Sequence, residues 1–509
     1  MKKLSKRLLL SAMLLCGIAT TTATAQTVDG RNFGIDGFAA LSGTQGTNWY
    51  LANGTTGGAG GKVVYANTFS ELQAYLQAKD PYIILVDHDI TTGIKAYVDD
   101  LSTGHLCDKQ DGSEGVETTY GERIRVSSNK TLIGIGDSED KAPLFSRITF
   151  VFQCTNNVII RNCRFTMVGV PILKTGENKI VAYRDGVQKE VGDPDCIGIQ
   201  ADLNSAKTDF GGHIWIDHCS FFNGNAANKD RYDGLLDCKN NVQFLTFSYN
   251  HFYNHDKACL FGKGDTDIFG SERTISFHHN FFENIEGSRL PLQRGSFLDY
   301  ANNYMLGCQD GWDVRPRATA YVQACYFENT KSPIRSDRGG SLNIRKDAGY
   351  ELYFTGCNNV PEGYTNADGH KISKSYNITT TNWKPTDVDA NYKLNIIDKT
   401  ADVPTIAKKY SGAGKIVIWK TYADNVPAED NAEFNKALGN QAVGEGVYDA
   451  QGNKISHAST DAIENVDAAT STAAPAAYYN VNGVRLSAPQ RGLNIVKMSN
   501  GTTKKVVVK

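Results

Sequence analysis

Several things that would steer a first reading are missing from this 509-residue chain. It has no Cys-x-x-Cys pair, so a structural zinc site of that spacing is not expected. Charge of one sign is not in excess: 53 Lys and Arg face 55 Asp and Glu, which removes the broad basic field that nucleic acid would need. A local cluster of Lys, Arg or metal could still hold an acidic polymer. Proline is scarce at 13 residues while glycine reaches 49, a turn-rich balance that fits neither collagen, disorder nor a small helical bundle. No run beyond residue 25 approaches the roughly 20 apolar residues of a membrane span.

What the chain does carry begins with an export signal. Lys2, Lys3, Lys6 and Arg7 precede an apolar run from Leu8 to Ala19, and Ala23-Thr24-Ala25 supplies small residues before Gln26. Leu15 precedes Cys16 where a lipid anchor would require a small residue. Residues 1–25 are therefore read as a signal peptide, and the protein as secreted, either free or at the cell surface. Ten cysteines remain in nearly 500 residues, which is not a disulfide-dense framework.

From about Asn157 to Glu328 one pattern recurs. Taking Cys163, Cys219, Asn250, Asn280, Asn303 and Cys325 as anchors, Ile160, Ile216, Phe247, Phe277, Tyr300 and Val322 stand three residues earlier. Val158, Ile214, Leu245, Ile275, Leu298 and Ala320 stand five earlier, and Phe165, Phe221, Phe252, Phe282, Met305 and Phe327 two later. Alternation at period two means strands, and anchors 22 to 31 residues apart mean stacked coils. The first gap, 56 residues, reads as two turns. A column of Asn lets side-chain amides bond along the stack, with small buried Cys as an apolar substitute. This pattern predicts an all-β parallel β-helix. With coils about 4.8 Å apart, Cys163 and Cys219 two coils apart would be about 10 Å from each other, beyond the ~7 Å that a disulfide spans.

Tyr82–Val86 and Asn129–Gly136 read as earlier coils or capping strands. The expected organisation is a β-helix domain over 26–422, a linker over 423–476 and a small β tail over 477–509, where Asn482-Gly483 and Asn500-Gly501 signal hairpins. The tail resembles short sorting signals of bacterial exported proteins. A capped β-helix needs no partner, so a monomer is expected.

A solenoid is a scaffold, so chemistry must come from side chains outside the ladder. Three clusters stand near strand ends: Asp193 and Asp195; Asp233 and Asp237; and His255-Asp256-Lys257 with Arg289 and Arg294. Converging carboxylates need a cation, and oxygen ligands favour a hard one. From spacing alone Asp233 and Asp237 serve equally as turn and cap residues. Lys257 or either arginine, taken singly, reads as a solvated charge. His218, His278 and His279 flank ladder positions, where structural imidazoles are the simpler reading.

His213-Ile-Trp-Ile-Asp-His-Cys-Ser-Phe221, Asp233-Gly-Leu-Leu-Asp-Cys-Lys239, Phe247-Ser-Tyr-Asn-His-Phe252 and Arg289-Leu-Pro-Leu-Gln-Arg-Gly295 closely resemble the pectate lyases of polysaccharide lyase family 1 in sequence and order. The resemblance implies a right-handed parallel β-helix and calcium-dependent β-elimination of α-1,4-linked polygalacturonate to 4,5-unsaturated products. It implies Asp195, Asp233 and Asp237 as calcium ligands and Asp193 as a further one. It makes Lys257 and Arg294 substrate contacts, and Arg289 the proton abstractor. Arginine's reference pKa of about 12.5–13.8 makes such a base work best under alkaline conditions. Cys238 stands where an aliphatic residue is common, a core change. A pectin lyase acting on methylated pectin shares the fold but lacks the acidic site; a carboxylate-pair hydrolase or a non-catalytic polysaccharide-binding solenoid are the other readings.

Overall fold

The computed structural model describes residues 27–416, apart from 29–30, 102–105, 171–180, 185–186, 191–194, 202–209, 225–231, 266–273, 288, 337–338 and 365–377, together with 447–448 and most of 475–508. Asp193, the export signal and most of the 423–476 segment thus lie outside the described residues. Two residues of that segment, Val447–Tyr448, pair in parallel with Lys62–Tyr65, so the stretch is not linker throughout.

Three sheets of twelve, nine and eight strands, each parallel throughout, carry the fold, and the chain visits them in rotation. Ile148–Gln153 lies in the eight-stranded sheet, Asn156–Arg161 in the twelve-stranded and Arg164–Thr166 in the nine-stranded. The next coil repeats the order with Ile197–Gln200, Gly211–Asp217 and Ser220–Phe222. The result is a parallel β-helix.

Its register follows the sequence rows. Ile160, Ile216, Phe247, Phe277, Tyr300 and Val322 are successive ladder partners. So are Phe165, Phe221, Phe252, Phe282, Met305 and Phe327. All of these are fully buried. Phe165, Phe221, Phe252 and Phe282 stack with ring centroids 5.0 Å apart, each pair contributing about 0.5–1.5 kcal/mol beyond its buried area.

The turn between the twelve- and nine-stranded sheets has a local cause. The residue before each anchor, namely Asn162, His218, Tyr249, His279, Asn302 and Ala324, has a left-handed backbone with φ between 46 and 58°. Outside Asn this conformation is costly, and the anchor column offsets the cost. Asn250 Oδ1 accepts from Cys219 N at 3.0 Å, Asn280 Oδ1 from Asn250 N at 3.0 Å, and Asn303 Oδ1 from Asn280 N at 3.0 Å.

One expectation is corrected. Ile160 pairs directly with Ile216, so the 56-residue gap is a single turn. The surplus length falls between Thr166 and Ile197, where Val181–Arg184 and Val187–Glu190 form an antiparallel hairpin, and between Gln200 and Gly211. Cys163 and Cys219 therefore sit on neighbouring rungs, and the separation argument against bridging them fails. No disulfide joins them or any other of the ten cysteines 107–357.

The helix Phe69–Gln77, whose first turn is held by Thr68 accepting from Glu71 N at 3.2 Å, buries Leu72, Tyr75 and Leu76 against the main core. In the tail, Pro475–Tyr479, Arg485–Leu486, Gly492–Met498 and Thr503–Val508 form an antiparallel sheet, with strands pairing across both expected hairpins.

Candidate active site

The eight-stranded sheet presents alternate side chains outward. In Leu236–Lys239, Cys238 points into the core with no exposure, so Asp237 and Lys239 share the outer face. Gly198 is the ladder partner of Asp237, and without a Cβ it leaves space over the strand. The resulting groove, about 190 Å³, is lined by Arg123, Thr149, Gln200, Asp195, Asp233 and Lys239, among others.

Asp195, Asp233 and Asp237 converge there, each offering a carboxylate oxygen within 4.8 Å of the other two. Each is held differently. Asp195 Oδ1 accepts from Gly234 N at 2.7 Å, and Asp237 Oδ1 accepts from Leu260 N at 3.0 Å. Gly234 is needed at its position, because a Cβ would lie 2.2 Å from Asp237 Oδ1. Asp233 meets two cations on one oxygen: Lys257 Nζ and Arg289 Nη1 both stand 3.4 Å from Oδ1. Lys239 Nζ lies 3.3 Å from Asp237 Oδ2 and 3.6 Å from Asp195 Oδ2.

The electrostatics differ across the three acids. Burial raises Asp195 well above the usual carboxylate range and raises Asp237 too, with the neighbouring acids adding to the effect and Lys239 opposing it. Burial also works to raise Asp233, but Arg289, Lys257 and Lys239 outweigh it and hold that carboxyl low. Asp195 and Asp237 in turn raise Lys239 against its burial. Burial pushes His255 down to about 4, so its ring is neutral over most of the working pH range.

The residues fit a hard divalent cation. The donors are all oxygen, they converge, and Asp237 Oδ2, buried and faced by Lys239 at 3.3 Å, has no hydrogen bond among the described residues, which leaves a lone pair for a metal ion.

The structure thus brings Asp195, Asp233, Asp237, Lys257 and Arg289 together. Arg289 has a left-handed backbone, φ 81°, held in part by its carbonyl accepting from Cys259 N at 2.7 Å; such an outlier at a charged site is a functional signal. Arg294 stands apart from the triad. It lies beside Gly262 and its guanidinium is tied to Asp265 at 2.5 Å and to the Gly262 carbonyl at 3.2 Å.

Two residues of the cluster were given no role in the sequence. Lys239 carried a readable signal, because period-two alternation places it on the same face as Asp237. His255 was singled out beside Lys257, but the bond from its Nε2 to the Asp233 carbonyl at 2.7 Å could not be read, since that contact depends on two coils stacking.

The family profile described as pectate lyase matches residues 36–416. A pectate trisaccharide-lyase of Bacillus licheniformis is 29% identical, covering 82% of this chain and 99% of its own length. One from Thermotoga maritima is 28% identical, covering 72% and 86%. Among solved structures, a pectate lyase from Bacillus sp. N165 in complex with trigalacturonate superposes with a TM-score of 0.50 at 24% identity, covering 75% of this chain and 99% of that one. It shares the right-handed parallel β-helix.

Proposed function

The chain belongs to the pectate lyase family, and from that premise we propose that it cleaves α-1,4-linked polygalacturonate by calcium-dependent β-elimination, releasing 4,5-unsaturated oligogalacturonides outside the cell. The observation that carries the reading is the meeting of three acids with Lys257 and Arg289 around a single carboxylate, that of Asp233.

Charge explains why this arrangement suits a polyuronate. Three carboxylates face three side-chain cations, Lys239, Lys257 and Arg289, so the site is near balance by itself. A divalent ion would leave it positive and matched to a polyanion. Asp195, Asp233 and Asp237 would hold calcium, with Asp193 proposed as a further ligand, and the ion would supply Lewis-acid neutralisation of the uronate carboxylate.

The chain's own groups do the remaining work. Lys257 binds a substrate carboxylate, and Arg294, one coil further on, is freed from Asp265 to do the same. Arg289 takes the proton from C5; the electron pair left behind forms the C4–C5 double bond as the C4–O bond breaks, and the departing oxygen takes a proton from water to leave as a hydroxyl. Positive charge fixed in place before the reaction lowers the cost of the developing enolate. The acids that hold calcium favour de-esterified pectate over methylated pectin.

The test is to follow absorbance of unsaturated product from polygalacturonate at alkaline pH, with calcium or with excess chelator. Absorbance rising only with calcium supports the reading. A rise indifferent to chelator points to pectin lyase chemistry, and no unsaturated product from either substrate would leave a hydrolase or a binding solenoid.

A further inference from the structure

Asp233, like Asp195, lies outside any strand, and residues 225–231, just before Tyr232, lie outside the described residues. Its peptide link to Gly234 is gripped at both ends by side chains. The N–H of Gly234 donates to Asp195 at 2.7 Å, and the carbonyl of Asp233 accepts from His255 Nε2 at 2.7 Å. A carbonyl only accepts, so Nε2 carries the proton and the tautomer is set by the contact.

His255 closes the strand His251–His255, and Lys257 follows two residues later. One short segment therefore holds Asp233 twice: the imidazole fixes its backbone and the ammonium approaches its carboxylate at 3.4 Å. His255 itself is fully buried, and its Nδ1 has no hydrogen-bond partner among the described residues. A leucine would fill the same space without burying an unpaired nitrogen, so packing alone does not account for an imidazole here.

We propose that His255 is a positioning residue of the active site, whose Nε2–H fixes the Asp233 backbone so that the Asp233 carboxylate is held at the junction of the metal site, Lys257 and Arg289. This rests on the calcium reading of the triad and deepens it. Outer contacts of this kind orient metal ligands, and losing one typically lowers metal affinity or activity by roughly 10–100-fold.

The experiment uses the full exported chain and three variants. His255→Gln places an amide N–H at about the position of Nε2, His255→Asn places it one bond short, and His255→Leu removes it. Calcium alone is titrated calorimetrically without substrate, and kcat and KM are measured on polygalacturonate. The expected result is near-native calcium affinity for His255→Gln and a loss of about 10-fold or more for His255→Asn and His255→Leu, with the fall in turnover appearing in kcat at saturating calcium. If His255→Leu does not fold, the Gln and Asn pair decides alone. Equal calcium affinity in wild type and His255→Asn would overturn the proposal while leaving the calcium reading intact. Wild type that takes up no calcium would overturn both.

Discussion

Two clusters on this β-helix both gather aspartates with basic side chains, lysine and arginine in one and arginine and histidine in the other, and end in opposite states. Around the three acids, Lys239, Lys257 and Arg289 stand 3.3–3.6 Å from their carboxylates, and a buried carboxylate oxygen has no hydrogen bond among the described residues. On the twelve-stranded sheet the contacts are shorter. Asp217 binds Arg161 at 2.8 Å, His218 at 2.6 Å and the Ser248 hydroxyl at 2.6 Å. Nearby, His278 meets Asp36 at 3.0 Å, and Asp398 takes His279 at 2.9 Å and Arg31 at 2.7 Å, tying the N-terminal arm and residues near 398 to the coil. In the second cluster every carboxylate oxygen of Asp36, Asp217 and Asp398 has a partner, although His218 Nε2 has none among the described residues, and the cluster holds the chain together. The first is left open, with binding capacity for an ion and an anion. What separates a site from a brace here is unmet carboxylate bonding capacity, not the density of charge.

The comparison can be broken most directly at its two strongest points. Arg289→Ala should lower kcat by about 10³-fold, within the range for losing a proton-transfer group, while calcium uptake by calorimetry is kept or strengthened, because a cation beside Asp233 is removed. Asp217→Ala should do the reverse, removing about 3–5 kcal/mol of stability in denaturant titration by stranding Arg161 in the core, with calcium affinity unchanged in the folded protein. A variant of either kind that moved both readouts together would erase the distinction.

Acid sharpens it further. Burial pushes His213, His218, His255 and His279 down, the last two to about 4, whereas His88 and His278 are raised by their aspartate partners against burial. Below about pH 6.5 the four lowered imidazoles favour the unfolded chain, while Asp195, Asp237 and Asp299, raised by burial, oppose them by binding protons in the native state. Burial works against ionised Asp217, yet His218, Arg161 and Ser248 hold it at about 2, which adds about 2 kcal/mol that is lost between pH 4 and 2. The stability advantage of wild type over Asp217→Asn should shrink as pH falls from 4 to 2; a constant difference in denaturant midpoint would contradict the assignment. The smallest effect expected is at Lys239. Lys239→Met should raise calcium affinity severalfold by removing the cation that bridges Asp195 and Asp237, whereas cutting any partner in the closed cluster only harms.

The fold was legible in the sequence because its core rows repeat at fixed offsets from one anchor, and those rows became ladder partners residue for residue. The coil count in the first gap was not, since an inserted hairpin and an extra turn look alike in spacing. In the site, Asp195, Asp233, Asp237, Lys257 and Arg289 were legible as motif residues that strand ends bring together. The offset of Arg294 and its hold on Asp265 were not, because they depend on which coil the arginine closes. The bonds of His279 to Asp398 and of Asn395 to Asp36 join residues 119 and 359 apart, beyond the reach of any local pattern.

The central claim is that the open cluster is a calcium site and the closed one is not. A crystal of the protein soaked in calcium tests it most directly. The account predicts one ion bound by oxygens of Asp195, Asp233 and Asp237 at about 2.3–2.6 Å, with Lys239 drawn away from the triad. An empty groove, or an ion held elsewhere while Lys239 keeps its place between Asp195 and Asp237, would contradict it.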